Sequence, residues 1–156
     1  MNVDSAGLEV LSPGDCLALA QTTPIGRIVF THQALPAVQP VHFLLDDGCI
    51  VIRTGERTRL AAALRGTVVA FEIDEYDAGT ESGWSVTVVG RAESVVDAAE
   101  SARLALLPLR TWAPGDGDRF VRIRPEHITG RRIRVAEMAN NDERPGPAPV
   151  EVGQGS

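Results

Sequence analysis

Between residues 38 and 54 the chain spells out a β-hairpin. Val38 to Leu45 is apolar, Asp46-Asp47-Gly48 is a tight-turn sequence, and Cys49 to Thr54 resumes the strand pattern. An Asp-Gly pair supplies the positive φ that a two-residue hairpin loop demands. The same signals recur along the chain. Ile25 to Thr31 reads as an earlier strand, with Leu35-Pro36 in the turn after it. Thr67 to Asp74, Trp84 to Val95, Phe120 to Arg124 and Ile128 to Val135 read as later strands, and 75–83 as a polar connection. Each such strand hides one face, and a run of them joined by short turns closes into a sandwich or barrel. Gly90, inside the longest strand, marks a bulge or a close backbone approach.

Helical segments punctuate the strands. Ser12 is a capping residue, Pro13 suits the first helical position and Asp15 favours the positive helix end, so a short helix runs to about Gln21 and stops before Pro24. Thr58 to Arg65 is a good helix former closed by Gly66. A third helix begins at Asp97 and ends near Leu107, before Pro108; a loop over 109–117 carries Trp112. Residues 1–11 show little pattern and are expected to form a flexible arm. Residues 137–156, rich in Asn, Pro and Gly, cannot supply a core and are expected to form a disordered tail. The folded unit is therefore a mainly β domain over residues 12–136.

Charge narrows the partners. The net charge is −6, which disfavours a nucleic-acid backbone as ligand. Every basic side chain other than histidine is Arg, with no Lys. Cys16 and Cys49 stand far apart in no CxxC pattern, as expected of thiols in a reducing compartment. Neither a signal peptide nor an apolar run of about 18 residues is evident, so a cytoplasmic protein with no membrane partner is expected. His32, His42 and His127 share no ligand spacing with Cys or carboxylates, and no metal site is expected. GxGxxG after a strand and GxSxG are both absent.

One stretch carries a clear chemical signal. Arg53-Thr54-Gly55-Glu56-Arg57-Thr58-Arg59-Leu60 is a strand end, a loop and a helix start bearing three Arg and two Thr. Free N–H groups at a helix start, guanidinium forks and hydroxyls together suit a phosphate. The same residues also suit a solvated helix start, with Glu56 offsetting part of the charge. Asp74, Glu75 and Asp77 read as a solvated acidic edge, and Arg131, Arg132 and Arg134 as a surface basic run.

The order GRIVF, PVHFLLDDGCIVIRT, the Arg/Thr loop, FEIDE, GWSVTVVGRAE and IRPEHITGRRI resembles the pyridoxamine 5'-phosphate oxidase-like family, in its compact bacterial, nitroimidazole-reductase-like branch. The resemblance covers about residues 12–136. It implies an FMN-binding split β-barrel that works as a homodimer with flavin mononucleotide (FMN) at the subunit interface. It places the phosphate on Arg53, Thr54, Thr58 and Arg59, where the family usually has Lys near Arg59. It places the ring beside Pro40, Val41, His42 and Phe43. Trp84 and Ser85 become pocket residues, Ser85 being shorter than the Gln of true oxidases. Core or dimer packing remains the alternative role for Trp84, and an ordinary strand position the alternative for His42; Trp112 is expected as an interface anchor, with a reach into the neighbouring subunit's pocket as its alternative.

The resemblance implies an FMN-dependent oxidoreductase acting on a small-molecule substrate or electron donor, with no residue marked as an obligatory acid or base. Oxidation of pyridoxamine phosphate itself is not expected, because the chain lacks the terminal Arg- and His-bearing segments of those enzymes. A deazaflavin-binding relative, a haem-binding relative with His42 or His127 as axial ligand, and a non-catalytic flavin store are the other readings.

Overall fold

The computed structural model describes residues 2–55, 60–61, 64–110 and 119–133. In chain order the elements are β1 (Glu9–Val10), α1 (Pro13–Ala20), β2 (Ile25–His32), β3 (Leu35–Asp46), β4 (Cys49–Thr54), β5 (Val68–Asp77), β6 (Ser82–Ser94), α2 (Ala98–Ala105) and β7 (Arg119–Ile133). All strand pairs are antiparallel, in the order β1-β7-β4-β3-β2-β5-β6. Because β6 also pairs with β7, the sheet closes on itself. The result is a split β-barrel.

Closure falls to β7. One of its edges follows β6 from Gly83–Ile133 to Ser94–Val121. The other takes β4 along Arg119–Ile123 and β1 at Arg131 and Arg132. The two strands expected at 120–124 and 128–135 are one continuous strand, bent where Val89 pairs with His127 but Gly90 with Pro125. Glu126 is the extra residue of a bulge, and a bulge tolerates the proline beside it. A Cβ on Gly90 would collide with the Arg124 carbonyl, so only glycine fits at this bend.

The barrel interior follows the period of two. Ile28, Phe30, Val41, Phe43, Ile50, Ile52, Phe71, Ile73, Val86, Val88, Val121 and Ile123 are buried in one cluster, with Leu60 and Leu64. Leu60 and Ala61 are helical, and the Leu64 N–H donates to the Leu60 carbonyl at 3.1 Å. The rest of the helix expected over 58–65 includes positions outside the described residues. Val51 and Phe120 point outward but are covered by Leu104 and Leu109 in a second cluster. Arg103 of α2 fixes that cover by gripping Asp46 with both terminal nitrogens, at 3.1 and 2.7 Å. Arg122 of β7 donates to Glu100 at 2.6 Å.

Local chemistry sets the boundaries. The Ser12 side chain accepts from the Asp15 N–H at 3.2 Å, and Asp97 caps α2 by accepting from the Glu100 N–H at 3.1 Å. The β2–β3 turn lies at Gln33 and Ala34, both with positive φ, rather than at Leu35-Pro36. Leu35 and Pro36 already pair with His32 and Thr31. Glu75, Tyr76 and Asp77, expected in a loop, extend β5 by pairing with Trp84, Gly83 and Ser82. Residues ahead of α1 are held in place: Val3 bridges to Glu9, and the Asp4 carboxylate accepts the Ala6 and Leu8 N–H groups and pairs with Arg131 at 2.6 Å.

If Gly90 is the hinge of closure, Gly90→Ala should cost about 1–3 kcal/mol in chemical denaturation, the usual penalty for forced overpacking. An unchanged midpoint would show that the bend accommodates a side chain.

Candidate functional site

The two halves of β3 have different neighbours. Residues Phe43 to Asp46 pair with β4, from Phe43–Ile52 to Asp46–Cys49. Residues Leu35 to His42 pair with β2. Past Phe43–Ile52 the shared ladder ends: β4 continues beside β7 through Arg53 and Thr54, and β3 continues beside β2. Pro36 and Pro40 suit this freed half of β3. Proline has no N–H to give a ladder and is confined to edges and bulges. Both prolines lie in the half of β3 that pairs only with β2 among the described residues.

The expected ring-binding and phosphate-binding residues flank this parting. Pro40 is exposed and His42 half-buried, while the Val41 and Phe43 side chains are buried in the barrel. Phe43 meets Phe71 edge-on, with centroids 5.1 Å apart. The backbone and the outward side chains, not Val41 and Phe43 themselves, are therefore what this strand offers a ligand. Across the gap, the Arg53 guanidinium lies 5.3 Å from the centre of the Phe120 ring, which holds the cation against the barrel wall. Thr54 is buried. Thr58 and Arg59 lie outside the described residues.

Trp84 and Ser85 are elsewhere on the same chain. They open β6, with β2 and β5 between them and β3. At roughly 4.8 Å per strand the separation is about 14 Å. Trp84 packs against the edge of the core; Ser85 is exposed and pairs with Asp74 and Arg131. One chain therefore brings Pro40–Phe43 and Arg53–Thr54 together but not Trp84 and Ser85.

Next to Phe43 is a feature the sequence did not signal. A cleft of about 400 Å³ runs between the end of α1 and β3, lined by residues 20–24 and 43–45. In its wall the Thr23 hydroxyl is buried with no hydrogen-bond partner among the described residues. An orphaned buried hydroxyl is costly unless something supplies its bond.

The outer face of β3, β2, β5 and β6 is also distinctive. Val38, Val29, Ala70 and Val89 form one register row across the four strands. Val38 is 62% exposed. Beside this row Arg27 donates to Glu72 at 3.1 Å and to Asp74 at 3.2 Å. Burial pushes the Glu72 carboxyl up to about 7, helped by the adjacent Asp74 and opposed by Arg27. His32, His42 and His127 join no metal-binding group of His, Cys, Asp or Glu among the described residues.

Comparison with known proteins is decisive for family. Residues 12–132 match the pyridoxamine 5'-phosphate oxidase family. The chain belongs to that family. Within it, the chain is 39% identical over 128 residues to the uncharacterized protein Rv0080 of Mycobacterium tuberculosis, covering 79% of this chain and 84% of the relative. It is 33% identical to an FAD binding protein of Mycobacterium smegmatis, over 81% of this chain and 99% of that one, with a TM-score of 0.65. A Bacteroides thetaiotaomicron protein named for resistance to 5-nitroimidazole antibiotics shares the fold at 14% identity and a TM-score of 0.64, over 85% of this chain and 92% of that one. The pyridoxamine 5'-phosphate oxidase match spans α1 to nearly the end of β7, so it contains both flanks of the β3–β4 parting.

The Glu72 environment has a measurable sign. A carboxyl raised on folding binds its proton more firmly in the folded chain, so stability falls as pH rises between about 4.5 and 7. Glu72→Gln removes that slope. The melting temperature of the variant, relative to the parent, should rise by a few degrees from about pH 5 to about pH 8. A constant or falling difference would contradict the assignment.

Proposed function

We propose that this protein is a flavin-dependent oxidoreductase that binds FMN, or the FMN half of a larger flavin, where β3 and β4 part. The observation that carries the proposal is the parting itself. It sets the backbone of Pro40 to His42 on one side and Arg53, at the head of the Arg/Thr loop, on the other. A flat ring with polar edges fits beside a strand freed from its ladder, and a phosphate fits the cationic loop. The orphaned Thr23 hydroxyl beside Phe43 is a donor that a ring carbonyl would satisfy. When bound, the flavin supplies the electron chemistry and the protein supplies binding and orientation. Arg53, Thr54, Thr58 and Arg59 hold the phosphate in this reading, and Pro40 to Phe43 the ring.

The protein acts as a homodimer in the same proposal, with the flavin at the subunit interface. The apolar row Val38–Val29–Ala70–Val89 faces outward on the side of the barrel away from the α2 cover of Val51 and Phe120. A second copy lying on that row would bury it. It would also let Trp84 and Ser85 of one copy approach the flavin held by the other, across a separation that one copy cannot close. The substrate is a small molecule and the compartment the cytoplasm; no helix among the described residues is long and apolar enough to cross a membrane. FAD is the second reading of the cofactor, favoured by the 33% identity to the M. smegmatis FAD binding protein.

Purified protein desalted after incubation with FMN or FAD should keep the visible flavin bands, and the tighter ligand identifies the cofactor. Arg53→Ala combined with Arg59→Ala should weaken binding by about tenfold or more, since a charge-assisted bond contributes roughly 1.5–3 kcal/mol. Unchanged affinity would remove the phosphate site from this loop. Reduction of the bound flavin by NADH or NADPH separates an enzyme from a flavin store. Light scattering should give twice the chain mass, and Val38→Glu should halve it; a monomer that retains flavin would refute the shared site.

A further inference from the structure

The outer face of the sheet sets an ionic cluster beside the apolar row. Glu72 stands in the neighbouring register row, Pro40–Arg27–Glu72–Thr87–Thr129. Asp74 lies two residues along β5, on the same face. One Arg27 nitrogen, Nη1, donates to both carboxyl groups, at 3.1 Å to Glu72 and 3.2 Å to Asp74. A single cation shared by two acids leaves the ionised cluster one negative charge in excess. Successive same-face rows are about 7 Å apart. A stable interface covers roughly 800 Å² on each partner, which reaches about 16 Å from its centre. A second copy centred on Val38–Val29–Ala70–Val89 therefore covers the cluster as well.

The surroundings do not offset that charge. β6 presents only Thr87 and Ser85 to Glu72 and Asp74. Arg131, opposite Ser85 on β7, is held by Asp4 at 2.6 Å. The other titratable or charged groups around the cluster on this face, among the described residues, are Tyr76 on β5, His42 opposite Ile25 on β3, His127 opposite Val89 on β7, and Arg91 opposite Val68 on β6. The Glu72 side chain is still 26% exposed, so docking strips further water from it. Drying makes a second carboxylate on one guanidinium more costly and favours the protonated acid. In the single chain, burial already pushes the Glu72 carboxyl up to about 7, so the proton is available near neutrality.

We propose that docking of the second copy takes up a solvent proton at the Arg27–Glu72–Asp74 cluster of each copy, so that the dimer tightens on acidification. The proton sits on Glu72, Asp74 keeps Arg27, and the covered cluster is neutral. This regulation rests on the homodimer of the proposed function. His42 and His127 gain charge on acidification, so covering either of them acts with the opposite sign.

Sedimentation velocity of the full-length chain, over a dilution series at about pH 6 and about pH 8, reads the dimer Kd. The Kd should rise about tenfold at the higher pH, the size expected of one proton site per copy. Glu72→Gln should hold it constant within about twofold. Asp74→Asn leaves Arg27 to Glu72 alone and should cut the change to about threefold or less. His42→Gln and His127→Gln should each keep the full change. Raising salt from about 0.1 M to about 0.5 M screens the general repulsion of an acidic chain and should also leave the change in place. A dimer whose Kd ignores pH, or whose pH response survives Glu72→Gln or vanishes with either histidine or with salt, would overturn the proton linkage and leave the dimer standing. A monomer at both pH values would refute the dimer itself, and the linkage with it.

Discussion

The structure depends on one strand serving three neighbours. β7 zips to β6 along its length while its other edge is divided between β4 and β1. A flat fifteen-residue strand could not turn from one partner to the other, so the chain spends a bulge at Glu126 and a glycine at position 90 on the bend. Closure removes most sheet edges, which are otherwise templates for unwanted pairing. It also creates an interior in which Phe71, Ile28, Ile52, Val86 and Ile123 reach zero or near-zero exposure.

The proposed site follows from where that closed sheet is allowed to open. Ladder bonds hold β3 to β4 only over the hairpin end; two prolines mark the other half of β3 as an edge. The same sequence element thus both limits the sheet and exposes backbone beside the Arg53 loop. α2 steadies the opposite end through Arg103, Asp46, Glu100 and Arg122, so the hairpin beyond the parting stays in place. Function and closure are linked: a barrel zipped fully between β3 and β4 would present neither flank.

Much of this was legible in the residues. The Asp47-Gly48 turn, the Ser12 and Asp97 caps and the close backbone approach at Gly90 each have a local cause and appear where the sequence puts them. Non-local causes were hidden. Glu75 to Asp77 are polar and exposed, so no periodicity marks them as strand; only pairing with Ser82 to Trp84 makes them so. Gln33 and Ala34 form a positive-φ turn without the glycine or asparagine that usually announces one. Arg53 and His42, which the family resemblance names for the proposed site, flank the β3–β4 parting. The orphaned Thr23 hydroxyl could not be named from the sequence, because its burial depends on β3, distant in sequence.

Hydrogen exchange read by mass spectrometry, with and without FMN or FAD, tests the central claim most directly. Flavin at the β3–β4 parting should slow exchange in peptides covering Val41 to Phe43 and Arg53 to Leu60, while the hairpin end at Asp46 to Cys49, already paired, stays unchanged. Protection confined to other strands, or none at saturating flavin, would place the cofactor elsewhere and contradict the account.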